Sequence, residues 1–356
     1  MINSVSKEED MSNYFKNLVY ALTVCLLAAC EQTVVDMPTA PGTWTIAAGP
    51  MNDYGGTTRS SYTMWPEEEN CIKTLAFFQF DPEGMHTRNE LYNFRNFATE
   101  DNPYGVLQAS ISDVSFKSYK ANNTTICVVA NVTEQDVNEF YNQYTTSTST
   151  QVRLDKFKEW THKFQYKENS DSLGHLKQVC MFGYYEGTLG GTERLQRLIL
   201  GRLCSRIEIT LQAENANDFS SGVSFEFDNV PTEAYYFSTG VGVTDTQKDN
   251  QFGTTVSSVT TERQMFYFYM PGNSAQKEEA ALKLNITFGN QTKTVTLCTL
   301  PPGQNEGYVD YTINRNSIYR FNLKLKKGTS TRSGECEGLA SAPAVAYSGE
   351  DTEIYF

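Results

Sequence analysis

The chain has 356 residues, a formal net charge of −13 at pH 7, and 13% aromatic residues. The excess of acidic groups argues against nucleic acid as a partner, since binding its backbone requires clustered Lys and Arg, and also against purely electrostatic adhesion to anionic lipid. With 39% hydrophobic residues, the chain is expected to form packed cores, and its length suits two ordinary domains.

The first predicted element is a secretory signal that ends at Cys30. Lys16 precedes an apolar run over residues 18–27, and two alanines and Cys30 follow. This is the layout of a signal peptide, and the run is shorter than the ~20 residues that span a bilayer. Because it ends on cysteine, it resembles the lipobox of bacterial lipoproteins, which implies removal of residues 1–29 and a lipid on Cys30. The alternative is a short buried helix that ends at an unrelated cysteine.

A short strand is predicted next, over residues 43–47, and a loop rich in Gly, Pro and Asn follows over residues 49–61. Loops of this composition are preferred sites of proteolysis, so this one is a candidate processing site. Residues 72–80 then form a mostly apolar predicted strand, which ends in a Pro- and Gly-containing turn at residues 81–84.

A predicted hairpin comes next, with strands over residues 114–119 and 124–130 and a turn at residues 121–123. The spacing of the apolar residues then changes from that of a strand to that of a helix.

Thr133 and Asp136 have the spacing of a helix capping box, and aromatic and apolar residues follow at helical spacing over residues 137–144. A looser repeat covers residues 154–164. We expect one or two short helices packed on a sheet, because aromatic stripes of this kind usually belong to a core. The alternative is a ligand groove lined by the same aromatic residues.

The second half of the chain is predicted to be almost entirely β-structure. Its predicted strands lie at residues 179–185, 198–211, 223–227, 265–270, 282–288, 292–300 and 318–326. Residues 289–290, Gly and Asn, form a two-residue hairpin turn. The strand at 265–270 is continuously apolar or aromatic and is therefore expected to be central in its sheet.

The longest of these predicted strands has two faces and is long enough to bend. Ile199 and Ile207 are among the apolar residues of one phase, whereas Arg202, Arg206 and Glu208 lie in the other. Many short strands separated by turns, with few helices, predict a mostly β fold built from sandwiches.

The cysteines show no metal-binding or redox spacing. Cys127, Cys204 and Cys298 lie inside apolar strand patterns, where a thiol behaves as a small buried hydrophobic group. We expect mostly free, buried thiols; disulfide formation in an exported protein is the alternative, and the sequence does not give a pairing.

No motif predicts catalysis, a metal site or a cofactor. The three histidines, His86, His162 and His175, have no zinc-binding spacing and are expected to be surface side chains. Phosphate-binding and dinucleotide-binding glycine motifs and the nucleophile elbow are also missing from the sequence. We therefore expect a non-enzyme, although a triad assembled from distant residues leaves no sequence signature.

These landmarks, in this order, resemble the fimbrillin family of Bacteroidales, the FimA/Mfa-type subunits of type V pili. The matching stretches are the lipobox, residues 56–59, 75–84, 126–131, 181–183, 200–207, 268–273 and 313–321. The likeness spans residues 20–327.

The resemblance implies two tandem transthyretin-like β-sandwich domains, with short helices in the first. The implied division is a signal peptide over residues 1–29, a processed lead over 30–60, an N-terminal domain over 61–193, a C-terminal domain over 194–327 and a tail over 328–356.

The resemblance also implies assembly by strand exchange with other pilus subunits. In this scheme a surface protease cuts after an arginine, the first strand leaves, and a strand of a neighbouring subunit fills the groove by β-augmentation. By position the cut lies between Arg59 and Ser60, which would release the strand at residues 43–47. The alternative is that Arg59 is an ordinary exposed loop residue.

The tail departs from a shaft subunit of this family, which ends in a strand of alternating apolar residues. Here residues 344–347 and 354–356 are the two strand-like pieces in a tail rich in Ser, Gly and Ala. We therefore predict a tip or accessory subunit, held at the outer membrane by its lipid, exposed at the cell surface and able to contact a host protein or glycan.

The rival function is a surface lipoprotein that binds glycans without polymerising. Exposed aromatic side chains form platforms for sugars, and the candidates are Tyr184 with Tyr185, or residues 235–237.

Overall fold

The computed structural model describes residues 39–48, 52–54, 67–87, 93–103, 105–106, 110–119, 121–145, 151–164, 179–189, 197–215, 217–237, 248–249, 252–299, 309–328, 344–348 and 351–356. From Ala40 onward these belong to one compact unit. Most of them lie in strands, and the described helices are short, so the predicted mostly β class is confirmed. The division into two sandwich domains stays a prediction.

Within the described ranges, the first part of the chain holds two short α-helices, α1 (Glu134–Tyr144) and α2 (Leu154–Lys158), and a 3-10 helix at Glu67–Asn70. Its strands are β1 (Thr39–Ala48), β2 (Asn52–Tyr54), β3 (Thr74–Phe80), β4 (Met85–Thr87), β5 (Asn93–Asn96), β6 (Ser110–Tyr119), β7 (Ala121–Ala130), β8 (Gln151–Arg153), β9 (Thr161–Lys163), β10 (Met181–Leu189) and β11 (Arg197–Arg202).

Seven of these strands form one sheet, in the order β5-β3-β7-β10-β11-β1-β6. Every residue of β3 is buried, because the sheet is covered on both faces. Since side chains alternate along a strand, Phe78 and Phe80 join the aromatic cluster beneath the helices, whereas Leu75 and Phe77 join an aliphatic cluster on the other face.

Helix α1 covers the aromatic face of this sheet. The predicted capping box is present, with the Thr133 side chain accepting from the backbone N–H of Asp136. Phe140 is buried, and its ring stacks on Trp160 with the centroids 4.5 Å apart. Helix α2 ends at Lys158, earlier than the predicted repeat. The aromatic stripe is therefore core, as predicted, and not a groove.

The predicted hairpin over residues 114–130 is wrong in its pairing. Strand β7 lies between β3 and β10, while β6 lies at the far end of the sheet beside β1. Phe116 of β6 stacks on Phe77 of β3 with ring centroids 4.3 Å apart, so the sheet curves enough for its end strand β6 to pack against β3. Alternation indicates which residues of a strand face inward, but it does not specify the neighbouring strand.

The described second part of the chain is built from strands, with a 3-10 helix at Glu278–Ala280. Its strands are β12 (Cys204–Ala213), β13 (Val223–Asp228), β14 (Val230–Pro231), β15 (Glu233–Tyr235), β16 (Lys248–Asp249), β17 (Phe252–Val256), β18 (Gln264–Pro271), β19 (Asn273–Ser274), β20 (Lys283–Phe288), β21 (Gln291–Cys298), β22 (Thr312–Ile313), β23 (Ser317–Lys326), β24 (Ala344–Tyr347) and β25 (Asp351–Tyr355).

Two five-stranded sheets enclose the core of this part. One has the order β18-β12-β23-β2, with β25 also on β23, and the other has the order β17-β13-β20-β21-β24. Tyr319, Phe321, Leu323 and Leu325 of β23 are all buried in the core between the sheets, as their alternation predicts. The predicted two-residue turn is also confirmed, because Phe288 pairs with Gln291 across it.

Two predictions about the strands of this part are wrong. Strand β18 is at the end of its sheet rather than in the centre: Phe266 and Phe268 point into the core, whereas Met265 is 50% exposed. The predicted strand at 198–211 breaks at Leu203 into β11 and β12, which belong to different sheets. The break changes the phase of alternation, so Ile199 is exposed, contrary to prediction.

Candidate functional site

The N-terminal lead contributes an internal strand to the seven-stranded sheet. Strand β1 lies between β11 and β6 and pairs with β11 in parallel, with Ile46 opposite Leu198 and Ala47 opposite Ile199. An internal strand has a neighbour on each side, so its removal would expose unpaired N–H and C=O groups on both.

Ile46 anchors β1 in the core. Its side chain is fully buried in the aliphatic cluster, together with Val114 and Phe116 of β6 and Leu198 and Leu200 of β11. Its β-branched shape suits a pleated surface, and complete burial contributes about 1.5–3 kcal/mol relative to an exposed side chain.

A second strand of the same lead pairs with the other part of the molecule. Strand β2 runs parallel to the start of β23, with Asn52 opposite Ser317 and Tyr54 opposite Tyr319. The lead therefore contributes strands to two different sheets before the candidate cleavage site.

The residues predicted for processing, Cys30, Arg59 and Ser60, lie outside the described residues. The described chain resumes at Glu67, on the C-terminal side of the candidate cleavage site.

In this segment a buried ionic network begins at Glu69. Its carboxylate accepts from the guanidinium of Arg206 at 3.0 and 3.2 Å and from the hydroxyl of Tyr269. Arg206 also pairs with Glu208 at 3.0 Å, and Glu208 accepts from Nε of Arg320 at 2.7 Å.

The charged side chains of this network lie in the buried interior of the protein. Burial, followed by the nearby negative charge of Glu69, raises the pKa of the Tyr269 hydroxyl above its ordinary value. Arg202, which donates to Asn70, has its pKa lowered by burial. Buried charges require partners of this kind, because each ion would otherwise lose its hydration without compensation.

The alternation in the sequence places Arg202, Arg206 and Glu208 on the polar face of the predicted strand, but it does not indicate that Glu69 is their partner. The sequence feature that points to a buried ionic network is the concentration of charged residues inside an otherwise apolar strand. Glu69 lies 137 residues away from Arg206, so only the folded chain brings them together.

The tail is folded onto the chain's own sheets. Strand β24 runs parallel to β21, and β25 runs parallel to β23 on the edge that β2 also uses. Ile354 is buried in the sandwich core, and the ring of Phe356 packs 5.7 Å from that of Phe219. The two weak strand-like pieces seen in the sequence are therefore paired strands.

The candidate aromatic platforms differ in exposure. Tyr184 is 50% exposed, with its ring centroid 4.9 Å from that of Phe237, whereas Tyr236 and Phe237 are buried. Tyr185 and Tyr235 are half-buried.

The prediction of surface histidines is wrong for His86. Its ring is fully buried, with Nδ1 2.8 Å from the carbonyl of Gln79 and Nε2 2.6 Å from the hydroxyl of Tyr141. Burial lowers the pKa of His86 to about 4, so the ring is neutral at physiological pH. His162 is half-buried, and desolvation lowers its pKa; His175 lies outside the described residues.

The described cysteines are all buried, and Cys127, Cys180 and Cys204 are free thiols, as predicted. Burial raises the pKa of Cys204 to about 12. Over the described ranges, His, Cys, Asp and Glu form no cluster of three that could hold a metal ion. None of the helices in this part of the chain is long and apolar enough to cross a bilayer.

No protein-family model matches the sequence, and no curated protein matches it. Solved structures, in contrast, do align with this chain. The tip fimbrial protein Mfa3 from Porphyromonas gingivalis, with a C-terminal truncation, aligns with a TM-score of 0.51 at 13% identity over 82% of this chain and 96% of Mfa3.

Two other structures align with TM-scores below 0.5. A putative cell adhesion protein from Parabacteroides distasonis has a score of 0.49 at 18% identity, over 86% of this chain and 93% of its own. A FimA fimbrilin from Porphyromonas gingivalis has a score of 0.48 at 12% identity, over 89% of this chain and 98% of its own. The alignment with Mfa3 confirms the mostly β fold that the resemblance to fimbrillins implied, and the chain has a fimbrillin-like fold.

Proposed function

We propose that this chain is a fimbrillin-like pilus subunit that serves cell adhesion at the bacterial surface. It is exported as a lipoprotein anchored through Cys30, cut between Arg59 and Ser60, and joined to other subunits by exchange of β-strands. Its role is structural and not enzymatic.

The observation that carries this proposal is the internal position of β1. An edge strand that leaves a sheet merely moves the edge inward, whereas loss of β1 opens a slot with backbone partners on β11 and β6. The pocket vacated by Ile46 would give the slot side-chain selectivity as well as a hydrogen-bond ladder. Candidate cleavage at Arg59 lies after β1 and β2, so a single cut frees both from the body.

The buried ionic network supports the proposed processing, because it lies on the C-terminal side of the candidate cleavage site. Glu69 and Asn70 would become part of the new N-terminal segment, and their bonds to Arg206 and Arg202 hold that segment against the body. The remaining domains, over residues 61–193 and 194–327, would therefore keep their fold after processing.

The docked tail favours a tip or accessory subunit over a shaft subunit. To fill a neighbour's slot, β24 or β25 would first have to leave β21 or β23 and expose Ile354. A strand already paired within its own subunit is therefore a poor donor.

The test is to cut the purified protein after Arg59 and mix it with shaft subunit from the same pilus. We expect SDS-resistant heterodimers in which this chain accepts a strand, and no ladder of this chain alone. Arg59→Ala should abolish the heterodimers, whereas the matched control Arg153→Ala, in an exposed ion pair, should not. Heterodimers formed by uncut Arg59→Ala protein would overturn the proposed processing step.

The proposed lipid anchor at Cys30 is tested separately, by cell fractionation. Cys30→Ser should move the protein from the outer-membrane fraction to the soluble fraction, with Cys127→Ser as the control, because the Cys127 thiol is buried in the core. Retention of the Cys30→Ser protein in the membrane would contradict the lipid anchor.

Glycan binding is a second candidate function, favoured by the exposed ring of Tyr184 beside Phe237. A Tyr184→Ala variant that lost binding on a glycan array while still forming heterodimers would assign the two activities to separate surfaces.

A further inference from the structure

We propose that the partner strand that replaces β1 carries a large apolar side chain where this chain has Ala47, and that this side chain covers Ile199. The inference rests on the proposed function, and it specifies the chemistry of the incoming strand.

The first observation is the exposure of Ile199. It is 54% exposed, although its neighbours Leu198 and Leu200 in β11 are buried. Ile199 thus lies on the outer face of its strand and Leu198 and Leu200 on the inner face. About half of the Ile199 side chain is therefore open to solvent, and an apolar residue on the same face of a neighbouring strand would gain free energy by covering it.

The second observation is the register between β1 and β11. Ala47 is the Cα partner of Ile199, and residues opposite each other in neighbouring strands share a face of the sheet. Position 47 is alanine in the sequence, and the side chain of alanine is a single methyl group. A leucine, isoleucine or phenylalanine at the same register would lie beside Ile199.

The inner face of β11 sets a second requirement on the incoming partner strand. Ile46 is fully buried opposite Leu198, so the incoming strand needs a β-branched apolar residue at that position. The partner strand would thus run parallel to β11 with two consecutive apolar residues, the first filling the aliphatic cluster and the second covering Ile199.

The larger side chain opposite Ile199 would make the replacement of β1 by the partner strand favourable. Both strands would make the same backbone ladder, so hydrogen bonds contribute nothing to the preference for one over the other. Additional apolar burial at Ile199 favours the incoming strand, and we expect an affinity advantage of about fivefold.

The test uses the full chain with a site-specific protease sequence in place of residues 56–59, cut and then mixed with fluorescent peptides. One peptide is the native segment of residues 39–48, and the other is the same segment with A47L. We expect the A47L peptide to bind about fivefold more tightly to the native body and equally tightly to an Ile199→Ser body. Equal binding of both peptides to the native body, or a gain that persists on Ile199→Ser, would overturn the inference.

A second measurement does not depend on exchange. In the uncut chain, Ala47→Leu should raise the folding equilibrium constant about fivefold, and should have no such effect in an Ile199→Ser background. Failure of both peptides to bind, with this stabilisation present, would count against the proposed exchange and not against the pairing of position 47 with Ile199. Absence of the stabilisation would overturn the inference.

Discussion

The guanidinium of Arg206 contacts both carboxylate oxygens of Glu69, at 3.0 and 3.2 Å, and both side chains are almost completely buried. This pair joins the 3-10 helix at Glu67–Asn70 to β12. Glu208 accepts from both Arg206 and Arg320, which extends the contact across the sheet to β23.

Removing Arg206 should therefore be strongly destabilising. Arg206→Ala would leave Glu69 buried without its cation and Glu208 with Arg320 alone, and we expect a loss of about 3–5 kcal/mol in the free energy of unfolding, measured by urea denaturation. Arg153→Ala, which breaks an exposed pair with Asp155, should change it by no more than about 1 kcal/mol. Equal effects of the two substitutions would contradict the importance of the buried network.

Ile46 and Ile199 provide a matched pair for testing the position of β1. Ile46→Ala should cost about 2–4 kcal/mol because it leaves a cavity in the aliphatic cluster, whereas Ile199→Ala should change stability by about 0.5 kcal/mol or less. Thermal and urea unfolding would measure both. A larger effect at Ile199 than at Ile46 would mean that β1 does not occupy this slot.

His86 should make the protein less stable in acid. Burial lowers its pKa from 6.5 to about 4 in the folded state, so below pH 6.5 the unfolded chain takes up the proton first. The stabilisation from neutral His86 is complete above pH 6.5 and is lost as the pH falls through 4, which amounts to about 3 kcal/mol.

The measurement for His86 is the free energy of unfolding at pH 7.5 and at pH 4.5. His86→Gln should lower stability at pH 7.5 and reduce the difference between the two pH values by about 2–3 kcal/mol relative to the native chain. The carboxylates titrate in both proteins, so the comparison isolates the histidine. An unchanged difference would show that His86 is not the acid-sensitive group.

Release of the tail should expose the edges of both sheets that enclose the sandwich core. Ile354→Asp places a charge in this core and should detach β25, with loss of hydrogen-exchange protection at those residues of 322–326 in β23 whose N–H groups point toward β25 rather than β12. The exposed control Asp351→Asn should leave protection unchanged. If the Ile354→Asp protein also polymerises with itself, the docked tail is what restrains it; if protection persists, β25 does not depend on Ile354.

Local patterns determined much of this molecule from the sequence alone. The alternation in β23, the turn between β20 and β21, and the capping box at Thr133 each depend on residues within about ten positions of one another. Such signals are readable because side-chain period and turn geometry are set by neighbouring residues.

The tertiary structure decided which strands far apart in the chain are neighbours. It placed β1 inside a sheet, separated β6 from β7, docked the tail on β21 and β23, and brought Glu69 to Arg206. It also buried His86, whose surroundings come from β3 and α1. Backbone ladders are chemically alike along every strand, so the choice of partner depends on how distant side chains fill a shared core, and no single segment of the chain encodes that choice.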